Sequence, residues 1–263
     1  MGDGIQWLRG GNTGTAWMVD VIFAHGIDPE ELALRMGARR GAVTEPITDA
    51  EVLDLDLDFY RPPTRGDAIA RVGEHAGWSF AIEYGDPTGL HRLAEVSRDG
   101  VEAVHYSHNP EHPPTIVFYA RDGQEVCGFG LSEERIRWGK EPDLLLPDLV
   151  AAGILNPDGD TYSADSDDDE DEDESVDYVA RDRRALAVVE ERFSLSLPRT
   201  VFTEDRLPAY VTNSAPAPAF EAIHDWAATN GHPLPDARLG LIPATLRRAY
   251  EHATDPRRHK RRR

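Results

Sequence analysis

Six short segments with the composition of β-strands constrain the fold of this chain most strongly. They are rich in aromatic and β-branched residues, and glycine, asparagine, aspartate or proline fills the breaks between them. Asp122 and Gly123 separate the last two segments and predict a tight hairpin turn. We therefore expect a mostly antiparallel sheet built from residues 15–24, 68–73, 77–85, 101–108, 115–121 and 125–130.

Three further segments carry helix signals. In residues 28–37, Asp28 is a suitable N-terminal cap and Gly37 a suitable stop. Residues 142–153 end at a second glycine, and residues 180–193 form an amphipathic pattern, followed by an edge-strand candidate at 198–205. Together these segments predict an α+β domain over residues 1–212, with helices flanking the sheet.

An acidic run interrupts this domain. Nine of the ten residues from 165 to 174 are aspartate or glutamate, which predicts a disordered excursion over residues 163–177. The plainer interpretation is a solubilising loop or linker. The alternative is a tethered phosphate mimic that competes for the basic end of the same chain.

Composition excludes several classes of protein. Cys127 is the one cysteine, so the chain has no intramolecular disulfide framework and no cysteine-based zinc site; we expect it to be a buried strand residue. No secretory signal is visible at the start, and no stretch reaches the roughly 20 apolar residues needed to span a bilayer. We therefore expect a cytoplasmic protein.

Two groups of residues could bind a metal, and each has a plainer interpretation. Asp54, Asp56 and Asp58 alternate with apolar residues, so a strand would present them on one side for Mg²⁺. A half-buried strand with a solvated side explains the pattern better. The other group is a histidine-rich segment, in which prolines exclude a regular helix and favour a polar hairpin loop; its histidines are His105, His108 and His112.

The remaining patterns do not indicate an enzyme. The glycine-rich start, residues 10–14, lacks the preceding strand and following helix of a phosphate-binding loop. Trp78, Phe80 and Tyr84 share one face of a strand and are expected to fill the core. No activated nucleophile can be nominated, and we expect no cofactor and no metal site.

The C-terminal part of the chain predicts two short helices. The first is stopped by Asn230 and Gly231, and the second starts at Pro243 and carries Arg247 and Arg248 on or beside its polar face. We expect the two helices to meet around Trp226, Leu241 and Tyr250. Their apolar stripes are Phe220, Ile223, Trp226 and Ala227 in the first helix, and Ile242, Leu246, Ala249 and Tyr250 in the second.

Within this part, the motifs AIHDWAATNGH and GLIPATLRRAYEHA contain a tryptophan, an Asn-Gly stop, an Ile-Pro-Ala start and an Ala-Tyr pair. Residues 219–254 thereby resemble the C-terminal DNA-binding domain of the H-NS-like nucleoid-associated silencers of actinobacteria. The resemblance implies a DNA-binding module, joined to the first domain by a linker at 213–218 and followed by a basic tail at 255–263.

One departure changes how the module would bind DNA. The family inserts an Arg-Gly-Arg loop into the narrow minor groove of A·T-rich DNA. Here the triplet is Leu239-Gly240-Leu241, so we expect contacts to phosphates, with strong salt dependence and little sequence preference. The expected DNA-binding residues are Arg238, Gly240, Arg247, Arg248, Arg257, Arg258, Lys260, Arg261, Arg262 and Arg263.

The charge distribution would confine DNA contact to this end. The chain has a net charge of −20, yet residues 219–263 contain nine lysines and arginines against five acidic residues. The end is therefore about +4 and the rest about −24, so the acidic body repels DNA.

The first domain is similar to actinobacterial domains whose function is not established. The similarity covers about residues 5–212 and lies in GIDPEELALRMGA, GWSFAIEYG, VEAVHYSHN and FYARDGQEV; it implies a fold unit and no catalytic residue. Two hypotheses follow. One is a DNA-associated accessory nucleoid or transcription-regulatory protein whose acidic domain binds a partner or self-associates. The alternative is an immunity-type or regulatory protein-binding module with no DNA role, and the oligomeric state stays open.

Overall fold

A computed structural model of the 263-residue chain describes residues 4–9, 18–38, 40–41, 43–55, 67–110, 112–163, 178–213, 220–232 and 244–254. Its centre is an eight-stranded antiparallel sheet. The strands are β1 (Val19–His25), β2 (Asp67–His75), β3 (Trp78–Gly85), β4 (Glu102–His108), β5 (Ile116–Arg121), β6 (Gln124–Gly130), β7 (Arg137–Trp138) and β8 (Ala209–Asn213).

The strand order is β7-β6-β5-β4-β1-β3-β2-β8, so β1 lies inside the sheet between β3 and β4. All six predicted strands form, and the predicted hairpin is confirmed, since Asp122 and Gly123 have φ angles of 53° and 73°. The sequence analysis missed β7 and β8 because two and five residues are too short to show a period. The predicted α+β class with a mostly antiparallel sheet is confirmed.

Helices flank the sheet. They are α1 (Pro29–Arg35), α2 (Asp49–Leu53), α3 (Thr88–His91), α4 (Leu93–Val96), α5 (Leu146–Ala151), α6 (Tyr178–Phe193), α7 (Arg199–Thr203), α8 (Phe220–Thr229) and α9 (Ala244–Thr254), with a short 3-10 turn at Gln6–Leu8. The three predicted helices of the first part correspond to α1, α5 and α6. Asp28 caps α1 by accepting a 2.8 Å hydrogen bond from the backbone N–H of Glu31.

One strand prediction is wrong: the proposed edge segment at 198–205 contains α7, whose Phe202 is buried in the core. Of the alternating aspartate segment the structure describes only the first two residues, which follow directly after a helix. Thr48 and Glu51 form a reciprocal capping box that starts α2, and Asp54 is the residue at its C-terminal end.

Several predicted features lie outside the described residues. They are the glycine-rich start at 10–14, Asp56 and Asp58, most of the acidic run (164–177), the linker residues 214–218, and Leu241, Ile242 and Pro243.

The sheet has a core on each face. On one face Phe23 and Phe80 pack with Leu186 and Val189 of α6, and with residues of α5 and α7. The predicted core residues Trp78, Phe80 and Tyr84 all belong to this cluster, which confirms that interpretation. On the opposite face, residues such as Ile22 pack with Leu32 of α1, with Met36 directly after it, and with residues of α4. Burial of both faces explains why β1 is apolar at successive positions.

A buried arginine ties the sheet to two helices. Arg71 in β2 is fully buried and donates hydrogen bonds to the hydroxyl of Tyr84 at 2.7 Å and to the backbone carbonyls of Ile47, Phe202 and Asp205. The Tyr84 hydroxyl in turn donates to Asp49 in α2 at 2.6 Å. The guanidinium therefore connects β2 with α2 and with the chain around α7.

Candidate functional site

Helices α8 and α9 pack against each other around a small aromatic core, and we refer to them as the helix pair. Ile223, Ala227 and Leu246 are buried between them. Trp226 and Tyr250 meet edge to face with their ring centroids 5.7 Å apart. The two predicted helices and their apolar contact are confirmed for these residues.

The Asn-Gly stop of α8 is also confirmed. Gly231 has a φ angle of 71°, the left-handed conformation that closes a helix without strain only at glycine. The side-chain amide of Asn230 donates a 2.8 Å hydrogen bond to the carbonyl of Trp226, and the ring of His232 stacks on Trp226 at 4.8 Å. The stop, with His232 directly after it, therefore contacts both the backbone and the ring of Trp226.

The structure places only two of the predicted DNA-binding residues. Arg247 and Arg248 lie in α9. The other predicted residues lie outside the described residues: Arg238, Gly240, Arg257, Arg258, Lys260, Arg261, Arg262 and Arg263.

The histidine-rich segment does not form a single loop. His108 ends β4 and shares a 2.7 Å hydrogen bond with Thr115, and burial lowers its pKa. His112 lies in the polar loop between β4 and β5, as predicted. His105 is different, because it lies inside β4 and is completely buried. Its side chain therefore belongs to the sheet interior and not to a solvated loop.

His105 faces two buried carboxylates from neighbouring strands. Its Nε2 lies 3.4 Å from Oε1 of Glu83 in β3, and Asp20 in β1 is a third ionisable neighbour on the same face. The other oxygen of Glu83 accepts hydrogen bonds of 2.8 Å from the Thr88 hydroxyl and from the backbone N–H of Gly89. Three ionisable side chains thus share one enclosed region below α3.

Burial sets the protonation of Asp20. It raises the pKa of this carboxyl to about 6, while His105 lowers it, Glu83 raises it and a hydrogen bond from Ser107 lowers it. The sequence analysis missed this cluster, although an aspartate inside the apolar run WMVDVIFA was a usable signal. Among the described residues, no group of histidine, cysteine, aspartate and glutamate side chains is arranged to hold a metal ion. The cluster can hold a proton, but its burial leaves a substrate no access to it.

Gly89 makes room for the Glu83 carboxylate, and Gly89→Ala is expected to destabilise the fold by about 1–3 kcal/mol. A Cβ there would lie 2.5 Å from Glu83 Oε1 and 3.0 Å from Ile22 Cγ2. The measurement is urea unfolding of the full chain. In a Glu83→Ala background, Gly89→Ala should lower the free energy of unfolding by less, because the carboxylate is gone. An equal loss in both backgrounds would contradict the close approach of residue 89 to the Glu83 carboxylate.

A cleft of about 500 Å³ opens at one end of the sheet. Seven chain segments converge there: the end of β1, the β2–β3 turn, the start of β4, the end of β5, the middle of β6, the segment before α5 and the end of α6. Trp78, Tyr119 and Phe193 form its aromatic lining, and the rings of Tyr119 and Phe193 are 4.5 Å apart. This volume lies within the range of small-ligand sites.

Charged residues surround this lining. Glu102 accepts a 2.8 Å hydrogen bond from the Tyr119 hydroxyl and lies within 4 Å of His25 and Arg121. Burial and this hydrogen bond raise the pKa of Tyr119, so the phenol stays neutral. Glu141 and Arg192 complete the charged rim. The cleft could not be found from the sequence, because its residues are scattered from 25 to 194.

Cys127 lies beside this region but is not a nucleophile. It is buried in β6, as predicted, and burial raises the pKa of its thiol to about 12. None of the described helices has the length and apolar character to cross a membrane.

Comparison with known proteins covers the sheet region but not the helix pair. No curated protein matches the chain, and no solved structure does. One family model, described as a family of unknown function (DUF6461), matches residues 6–204. This range contains the cleft and the buried carboxylates and ends before α8, so the resemblance of residues 219–254 to the silencers stays a prediction. The chain belongs to this family of unknown function, DUF6461.

Proposed function

We propose that this protein is a DNA-associated accessory nucleoid or transcription-regulatory protein. In this proposal the helix pair and the basic tail contact DNA, and the sheet region binds a partner or self-associates. The observation that supports the proposal is that Trp226 and Tyr250, one from each motif of the resemblance, pack against each other in the core of the helix pair, next to the Asn230-Gly231 stop.

The electrostatics support contact through this end alone. Arg247 and Arg248 belong to α9, and the chain continues into a tail with six basic residues. The excess positive charge of residues 219–263 contrasts with the strongly acidic remainder. Leucines at 239 and 241 remove the arginines that would enter the minor groove, so the binding energy would come from phosphates.

Fluorescence anisotropy of the full chain with A·T-rich and G·C-rich duplexes at two salt concentrations tests the proposal. We expect similar affinities for both duplexes and a steep loss of binding with salt. An Arg247→Gln/Arg248→Gln variant should reduce the slope of log affinity against log salt by about 2, since each phosphate contact contributes about 0.9. The chain ending at residue 254 should bind more weakly still.

The matched control is Arg183→Gln/Arg184→Gln, which removes the same charge from two exposed positions on α6. This variant should bind DNA as the parent does. Absence of binding at low salt, or equal binding by a chain lacking residues 219–263, would refute the proposal. A stable complex with a basic protein that survives this deletion would instead favour the protein-binding alternative.

A further inference from the structure

We propose that the cleft at the end of the sheet binds an aromatic amino acid in its zwitterionic form. The inference rests on the aromatic lining and the charged rim of the cleft. It is independent of DNA contact, because the cleft lies entirely within the sheet region.

The lining presents rings whose polar atoms are already bonded within the protein. The indole N–H of Trp78 donates to the carbonyl of Phe193 at 3.0 Å, and the Tyr119 hydroxyl donates to Glu102 at 2.8 Å. Both side chains are therefore fixed in orientation and need no hydrogen bond from a ligand. Trp78 and Tyr119 are each only 5% exposed, and the ring of His25 lies 5.3 Å from that of Trp78, so with Phe193 they form a rigid apolar floor that a planar ring can lie against.

The rim provides one group of each charge for a ligand. Glu102 is occupied, because it accepts the Tyr119 hydrogen bond and lies 3.8 Å from His25 and 3.9 Å from Arg121. The carboxylate of Glu141 has no hydrogen-bond or ion-pair partner among the described residues. The guanidinium of Arg192 reaches Asp148 only at 4.0 Å, beyond hydrogen-bond distance.

This combination selects a zwitterion. A ligand with only an amine would gain Glu141 and be repelled by Arg192, and a ligand with only a carboxylate would meet the reverse. An α-amino acid presents both groups at one end and its side chain at the other, so an aromatic side chain can lie against this floor while its ammonium and carboxylate meet Glu141 and Arg192 at the rim. A volume of about 500 Å³ accommodates a ligand of this size.

Three ligands with the same ring separate the contributions of the two charges. They are L-tryptophan, tryptamine, which lacks the carboxylate, and indole-3-propionate, which lacks the ammonium. Titration of the full chain followed by ligand-observed NMR should rank L-tryptophan first, with each of the others about fivefold weaker, the scale of a partly exposed ion pair.

Two variants assign each charge to a residue. Arg192→Gln should remove the advantage of L-tryptophan over tryptamine and leave its advantage over indole-3-propionate. Glu141→Gln should do the opposite. Arg184→Gln and Glu204→Gln make the same chemical changes at exposed positions outside the cleft lining and should leave all three affinities unchanged.

Equal binding of the three ligands would mean that the ring alone is recognised and would overturn the proposal. Tighter binding of tryptamine or of indole-3-propionate than of L-tryptophan would also overturn it, as would no binding of any of the three. The DNA titration of the same preparations is read separately, so failure of either proposal can be distinguished from failure of the other.

Discussion

Replacing Arg71 with methionine is expected to lower the free energy of unfolding by about 3–5 kcal/mol, the usual cost of removing one partner from a buried charged network. Methionine fills part of the volume but donates no hydrogen bond. The substitution leaves Asp49, which is 5% exposed, without the guanidinium that lies 3.7 Å away. It also leaves the carbonyls of Phe202 and Asp205 without their donor. Urea unfolding of the full chain measures the loss.

The same substitution at Arg184, an exposed position of α6, is the matched control and should change stability by less than about 0.5 kcal/mol. A second variant, Arg71→Met combined with Asp49→Asn, should recover part of the loss, since it removes the uncompensated charge. A loss at Arg71 no larger than the loss at Arg184 would show that the buried network does not stabilise the fold.

Asp20→Asn is expected to stabilise the protein near neutral pH and to flatten its dependence of stability on pH. The folded-state pKa of Asp20 is about 6, above its ordinary value of 3.8. The folded state therefore holds this proton more tightly than the unfolded state does. The stability from this group is complete below about pH 4 and is lost as pH rises to about 6.

The rise in the pKa of Asp20 by about 2 corresponds to a change of about 3 kcal/mol in the free energy of unfolding. The unfolding free energy of Asp20→Asn minus that of the parent should thus increase by about this amount between about pH 4 and pH 7. Urea unfolding across this range measures it, with Asp160→Asn, in an exposed turn, as the control for the same chemical change at the surface. A difference in unfolding free energy that stays constant across this range would contradict the raised pKa of the buried Asp20 carboxyl.

The secondary structure of the sheet region was largely predictable because its signals are local. The φ angles of Asp122 and Gly123 follow from the residue types, and Asp28 caps α1 through a hydrogen bond to a residue three positions away. The prediction failed at residues 198–205, which read as an edge segment but contain α7, because the burial of Phe202 against the sheet is not visible in the local pattern.

The buried polar residues were not predictable in this way. Asp20, Glu83 and His105 are far apart in the chain, and only the order of β3, β1 and β4 brings them onto one face. His105 looked like part of a polar loop because its neighbours His108 and His112 are polar. The pairing of β4 with β1 and β5 on either side buries it instead.

The sequence by itself determined the α+β class, the six longer strands, the principal helices of the sheet region and the two helices of the helix pair, because capping, turn chemistry and periodicity act over a few residues. The tertiary structure alone decided the strand order, the surroundings of Arg71 and Asp20, and the cleft. These depend on contacts between distant segments, as between Glu102, Tyr119 and Phe193, and burial then sets the energy of each polar group.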